Sequence, residues 1–85
     1  MSRRQLILRL LRGHNQNIDF ADFRELVLAY GFREVRTRGS HQIFAHPSVP
    51  QLVSLQSRRG EAKPYQIRQF LRLVERYNLR PEEES

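Results

Sequence analysis

The hydrophobic residues of this chain first follow a helical period. Over residues 3–12 and 23–30, apolar side chains recur at the three- and four-residue spacing of helices that bury one face. Gly13 follows the first segment and Gly31 the second, and glycine readily takes the left-handed conformation that ends helices. Asp19 is a suitable N-cap for the second segment. The pattern therefore predicts a short first helix and a better defined second helix.

The middle of the chain changes to the alternation of β-strands. Residues 32–38, 41–46 and 51–56 form three strand-like runs. The turn between the first two contains Gly39 and Ser40, and residues 47–50, with two prolines, supply the second connection. These runs predict a three-stranded antiparallel meander. Ile43 and Phe44 compete for the core side, so the alternation leaves open which face of the sheet carries His41.

A last helix follows a segment that we expect to be a basic loop, residues 58–63. Pro64 suits the first helical position, where its missing N–H has no partner to lose, and the helix should run to about residue 78. Its buried stripe comprises Ile67, Phe70, Leu71, Val74 and Tyr77. Arginines recur every four residues on the other side of the helix, at positions 68, 72 and 76.

The predicted order gives an α+β fold. Its α-β-β-β-α core is a three-stranded antiparallel meander with helices on one face, preceded by a short extra N-terminal helix. This arrangement resembles the double-stranded-RNA-binding architecture and leaves one sheet face free for a ligand. We expect residues 1–18 to form the short helix and a connector, residues 19–79 the domain, and residues 80–85 a flexible acidic tail.

Charge narrows the classes of partner. The 85 residues carry a net charge of +6, and residues 1–81, with fifteen cations and six acids, carry +9. Fourteen of the cations are arginine, whose planar guanidinium binds phosphate through two parallel hydrogen bonds. Such a domain attracts nucleic acid electrostatically, although basic surfaces also serve solubility alone.

Composition excludes several kinds of site. The absence of cysteine rules out disulfides and thiolate metal sites, and the three histidines lack the spacing of a metal motif, so no metal and no cofactor is expected. No apolar run is long enough for a membrane span or a secretory signal, and a cytoplasmic location is predicted. A chain this short buries only roughly 60–65% of its unfolded surface, which favours a shallow, open site for a polymer.

The candidate chemistry centres on His41. An imidazole with a pKa near ~6.5 can remove the proton from an RNA 2′-OH that attacks its own phosphorus, without a metal. Arg36, Arg38 and Lys63 would stabilise the charge on the phosphoryl oxygens. A lone turn histidine is also commonly structural, so the residues alone leave both interpretations open. Ser40, without a base partner, is expected to cap the turn or contact phosphate, and His46 to be structural.

A closer resemblance rests on an ordered set of motifs. A helix ends in Gly-Phe at position 32, residues 38–47 read Arg-Gly-Ser-His-Gln-Ile-Phe-Ala-His-Pro, and a last helix begins with Lys-Pro at position 63. Over residues 20–79 the chain resembles the HicA family of bacterial toxins. The resemblance implies a small ribonuclease that cuts messenger RNA, a cognate HicB-type antitoxin as its partner, and His41 as the functional histidine. Many members carry a further histidine after the third strand, where this chain has Val-Ser-Leu-Gln at residues 53–56.

The sequence thus predicts a metal-independent endoribonuclease toxin that binds RNA through the open sheet face and a basic rim. The predicted RNA-binding residues are Arg36, Arg38, Ser40, Arg58, Arg59, Lys63, Arg68 and Arg72. A non-catalytic RNA- or DNA-binding module is the main alternative. A structural interaction domain, whose basic surface serves an acidic protein partner, is the third interpretation.

Overall fold

The computed structural model describes residues 2–82, and in that part of the chain helices cover one face of a three-stranded antiparallel sheet. The elements are α1 (Arg3–Leu11), α2 (Phe20–Ala29), β1 (Arg33–Arg38), β2 (His41–His46), β3 (Val49–Leu55), β4 (Ser57–Arg58), β5 (Glu61–Ala62) and α3 (Pro64–Arg76). The predicted α+β class, with an extra N-terminal helix before an α-β-β-β-α core, is confirmed. Residues 83–85 of the predicted acidic tail lie outside the described residues.

Both N-terminal helices begin at side-chain caps. The backbone N–H of Gln5 donates to the Ser2 hydroxyl at 3.2 Å, and the Gln5 side chain accepts from the Ser2 N–H, which completes a capping box for α1. Asp19 caps α2, as predicted, by accepting from the Asp22 N–H at 3.1 Å. These contacts satisfy backbone donors that a helix start otherwise leaves without partners.

The sheet has the strand order β1-β2-β3, and its register decides which face is buried. Phe44 of β2 pairs with Val53 of β3, and both are fully buried against the helices. Because neighbouring residues of a strand point to opposite faces, Ile43 and His41 lie on the other side. We call that side the open face; it carries His41, Ile43 and Ser54.

The segment predicted as a basic loop is a second hairpin. β4 and β5 pair antiparallel, with Arg59 and Gly60 as the two turn residues. Both turn residues have positive φ, as in the type I′ turns that suit hairpins. The hairpin docks on the start of α2 and on the residues just before it. The Phe20 N–H donates to the Gly60 carbonyl at 2.9 Å, and the Ala62 N–H donates to the Ile18 carbonyl at 2.8 Å. The loop prediction was wrong because these partners lie some forty residues away in sequence, and the charged residues of the hairpin show no strand alternation.

The third strand also starts earlier than predicted. β3 begins at Val49, which pairs with His46, so the second connection is only the two-residue turn at Pro47 and Ser48. Pro50 lies inside β3, because β3 is at the edge of the sheet and needs no outward hydrogen-bond donor there.

The core joins all three helices to the sheet. Phe70 of α3 lies at its centre, with its ring centroid 5.5 Å from those of Phe23 and Tyr30 and 5.8 Å from that of Phe32. Leu6 and Leu10 of α1 belong to the same buried cluster, so the additional helix is part of the core. Over residues 2–82, no helix has the length and apolar character needed to cross a membrane.

Candidate active site on the open face

His41 is the first residue of β2 and is exposed on the open face. It follows a two-residue turn in which Gly39 has a φ of 59°, the left-handed conformation expected at the first position of a type II′ turn. The imidazole Nδ1 lies 3.0 Å from the Ser54 hydroxyl on β3. The contact engages Nδ1 and not Nε2, the other ring nitrogen of an imidazole that can bind or release a proton.

A chain of hydrogen bonds connects the turn beside His41 to the start of α3. The Gln56 side-chain amide donates to the Ser40 hydroxyl at 2.7 Å, and its carbonyl accepts from the Lys63 ammonium. The Gln56 backbone N–H donates to the side chain of Gln66 at 3.0 Å. Gln66 is only 3% exposed, so this anchor lies inside the core. The network holds Ser40 and Lys63 in a defined relation to one another.

Two predicted arginines share the open face with His41. Arg38 pairs directly with His41 across the β1–β2 ladder, and Arg36 pairs with Ile43. Residues directly opposite in an antiparallel pair lie on the same face, so both guanidinium groups are on the side of the imidazole. A bulge at Val35 sets this register, which the sequence alternation alone does not indicate.

Three other predicted cations lie together in a groove away from the sheet ladder. Arg58, Arg59 and Lys63 line a groove of about 520 Å³ between the β4–β5 hairpin and the start of α3. We call it the hairpin groove; its other lining residues are Gln16, Glu61, Ala62, Pro64 and Tyr65. Lys63 therefore takes part both in the hairpin groove and in the network that reaches Ser40.

The two predicted arginines of α3 lie apart from the cations of the open face and the hairpin groove. Arg68 and Arg72 are exposed on α3, which packs on the buried side of the sheet. Arg72 lines a separate surface depression beside Gln51, Glu75 and Arg76.

A group of side-chain hydrogen bonds supports the β1–β2 hairpin on the helix side of the sheet. Arg24 of α2 donates to the Gln42 side chain at 2.8 Å and to the Glu34 carboxylate at 2.9 Å. Thr37 donates to the same carboxylate at 2.7 Å. The hydrogen bond from Thr37, followed by the one from Arg24, lowers the pKa of Glu34 below its ordinary value. These contacts fix β1 and β2 from behind, so they support the strands that carry the site.

The residues that contact the site from neighbouring elements were not predicted from the sequence. Strand register brings Ser54 to His41 and Gln56 to Ser40. The docking of α3 brings Gln66 to Gln56. Lys-Pro-Tyr-Gln at residues 63–66 is the one local signal, since a polar glutamine occurs there beside the buried stripe of α3.

His46 has a structural environment, as expected. Its ring packs on Phe32 with the centroids 5.1 Å apart, and its Nδ1 accepts from the Ser48 N–H at 3.0 Å. Among the described residues, no group of three or more His, Asp or Glu side chains is arranged to hold a metal ion.

Comparisons with known proteins identify the family. A comparison with curated proteins and one with solved structures each gave no match. The family described as the HicA toxin of bacterial toxin–antitoxin systems matches residues 20–75, about two thirds of the chain. That segment runs from the start of α2 almost to the end of α3. It includes the His41 turn, β3 and every lining residue of the hairpin groove except Gln16. The chain therefore belongs to the HicA family of bacterial toxins.

Proposed function

We propose that this toxin is a metal-independent endoribonuclease that cuts messenger RNA in the cytoplasm with His41 as its general acid–base group. The observation that carries the proposal is the exposed imidazole whose Nδ1 lies 3.0 Å from the Ser54 hydroxyl. An imidazole oriented in this way presents Nε2 to a ligand on the open face.

The reaction uses a nucleophile that RNA itself contains. As general base, His41 Nε2 accepts the 2′-OH proton while the 2′ oxygen bonds to phosphorus and the bond from phosphorus to the 5′ oxygen breaks. The products are a 2′,3′-cyclic phosphate and a 5′-OH, with solvent supplying the proton for the leaving oxygen. As general acid, the protonated imidazole instead supplies that proton.

The surroundings of His41 suit the charge that develops on the phosphate. Arg36 and Arg38 are on the same face, and Lys63 is tied to the adjacent turn through Gln56. Cations directed at the phosphoryl oxygens stabilise the transition state more than the ground state. The shallow site admits a long polymer without any closure.

We also propose that a HicB-type antitoxin inhibits the enzyme by covering the open face. Val35 of β1 and Leu52 of β3 are exposed apolar residues of the sheet, and a protein partner would bury them. The strongly basic charge favours an acidic partner.

The test compares induced expression of the wild type, His41→Ala and the matched control His14→Ala, whose histidine lies in the exposed connector after α1. We expect growth arrest and shortened transcripts with the wild type and His14→Ala but not with His41→Ala. Purified protein should cleave RNA equally with and without EDTA. Intact RNA with the wild type, together with salt-dependent binding, would establish the non-catalytic module instead. Equal cleavage by His41→Ala would reject His41 as the acid–base group.

A further inference from the structure

The hairpin groove has a composition that differs from the rest of the basic surface. It combines three cations with an aromatic ring, that of Tyr65, and contains a single acid, Glu61. Its volume of about 520 Å³ is within the usual range of ligand sites, about 300–1,000 Å³. Arginine side chains beside an exposed aromatic ring are the components with which proteins hold unpaired nucleotides.

Tyr65 has a ring that is half exposed beside the hairpin groove. The side chain is 52% exposed. Tyr65 is the second residue of α3, and the two residues after it, Gln66 and Ile67, are buried. Its hydroxyl lies 3.4 Å from the amide nitrogen of the buried Gln66, and the Lys63 ammonium lies 6.0 Å from its ring centroid. A large aromatic ring left exposed to water favours stacking by a planar ligand.

Arg59 has a backbone conformation that its residue type disfavours. Among the described residues with positive φ, four are glycine and two are asparagine, and Arg59, with a φ of 52°, is the exception. A residue with a Cβ is disfavoured in this conformation, and Asn or Gly would fill the turn at lower cost. Strain of this kind is concentrated at functional positions. Arg59 therefore lines the hairpin groove in a backbone conformation that disfavours an arginine.

Side-chain hydrogen bonds connect the hairpin groove to the turn beside His41. Lys63 lines the groove and donates to Gln56, Gln56 donates to Ser40, and Ser40 precedes His41 in the chain. An RNA strand that extends from the hairpin groove to the open face would therefore pass along these side chains.

We propose that the hairpin groove binds single-stranded RNA beside the scissile bond, with an unpaired base stacked on Tyr65 and phosphates on Arg58 and Arg59. The inference rests on the proposed ribonuclease function and names its substrate class. A base inside a duplex is stacked between its neighbours and cannot stack on Tyr65, so duplex RNA would not occupy this groove. The site thus selects single strands, although the fold resembles that of domains that bind double-stranded RNA.

Binding is measured apart from cleavage, in a His41→Ala background, by fluorescence anisotropy with a labelled 12-nucleotide single strand and its duplex. We expect the single strand to bind more tightly than the duplex. Tyr65→Ala should weaken single-strand binding about 10- to 100-fold, and Tyr65→Phe, which keeps the ring, should restore it. Equal affinity of the single strand for Tyr65→Ala and its parent, or preference for the duplex, would overturn the proposal.

Two further variants make the test independent of a loss of folding. Because the chain contains no tryptophan, Tyr65→Trp introduces one fluorophore at this position, and added single strand should quench its emission. Unchanged emission at saturating RNA rejects stacking. Arg59→Asn should lower the slope of log affinity against log salt by about 0.7, while Arg12→Gln, at the end of α1, leaves the slope unchanged. Equal slopes for Arg59→Asn and its parent reject the phosphate contact.

The outcomes also separate this proposal from the nuclease proposal. Loss of single-strand binding in Tyr65→Ala supports the hairpin groove even when the wild type cleaves nothing. If the wild type cleaves RNA and its RNA binding does not depend on Tyr65, the nuclease proposal stands and the proposal for the hairpin groove is rejected.

Discussion

The Nδ1 atom of His41 lies 3.0 Å from the Ser54 hydroxyl, across neighbouring strands of the open face. Nothing in the local sequence links the two residues, which are thirteen positions apart. Their contact orients the imidazole through Nδ1, and in the proposed mechanism Nε2 is the nitrogen that meets the RNA. The first prediction follows from this pair.

Replacing Ser54 by Ala should slow RNA cleavage about tenfold, part of the ~10²–10⁴-fold that general acid–base catalysis contributes. The Ser54 hydroxyl steers the ring but does not touch the reacting atoms, so the effect should fall on kcat and on the pH profile of cleavage. Ser54→Thr keeps the hydroxyl and should recover most of the rate. Ser48→Ala, in the turn at the other end of β2, is the control. An unchanged pH profile in Ser54→Ala would show that the contact does not position His41.

Gln56 should be a positioning residue between Ser40 and Lys63. Gln56→Ala removes two side-chain hydrogen bonds and should lower the free energy of unfolding by about 1–2 kcal/mol, measured by urea denaturation. Gln56→Glu can accept from both the Ser40 hydroxyl and the Lys63 ammonium, so it should retain stability. The new negative charge should still raise KM for RNA. A stable Gln56→Glu with an unchanged KM would place the RNA phosphates away from this network.

Glu34 should make the fold sensitive to acid. Its pKa is lowered in the folded protein, so its contribution to stability is complete above its ordinary value of 4.5 and is lost as pH falls below it. Thermal unfolding between pH 7 and pH 3 should therefore show a steeper acid decline in the wild type than in Glu34→Gln. Glu25→Gln, an exposed carboxylate of α2, is the control and should follow the wild type. Identical acid limbs for the wild type and Glu34→Gln would contradict the assignment.

The first helix should be required for stability even though it precedes the matched segment at residues 20–75. Leu10 is 2% exposed and belongs to the core, whereas Leu11 is 65% exposed. Leu10→Ala should cost about 2–5 kcal/mol of unfolding free energy, and Leu11→Ala should change it by no more than about 0.5 kcal/mol. Equal effects of the two substitutions would show that α1 is not packed as described.

Several elements were predictable because their signals are local. The cap at Asp19, the glycine after α2, the proline that begins α3 and the turn before His41 each depend on residues a few positions apart. The α+β class followed from the order of these elements. The β4–β5 hairpin was missed because its strands are two residues long and are held by backbone partners before α2. Strand pairing over such distances has no local pattern.

The candidate site also has features that are local in the sequence and features that depend on long-range packing. The sequence by itself determined the basic charge, the histidine after a tight turn and the family motifs, since composition and short spacings are written in the chain. Only the tertiary structure decided which sheet face carries His41, because burial of Phe44 and Val53 sets the parity of the strands. It also decided that Ser54 meets His41, that Gln56 joins Ser40 to Lys63, and that Arg72 lies apart from the hairpin groove. The physical reason is that register and helix docking are set by burial over the whole core, and a short window of sequence contains no record of them.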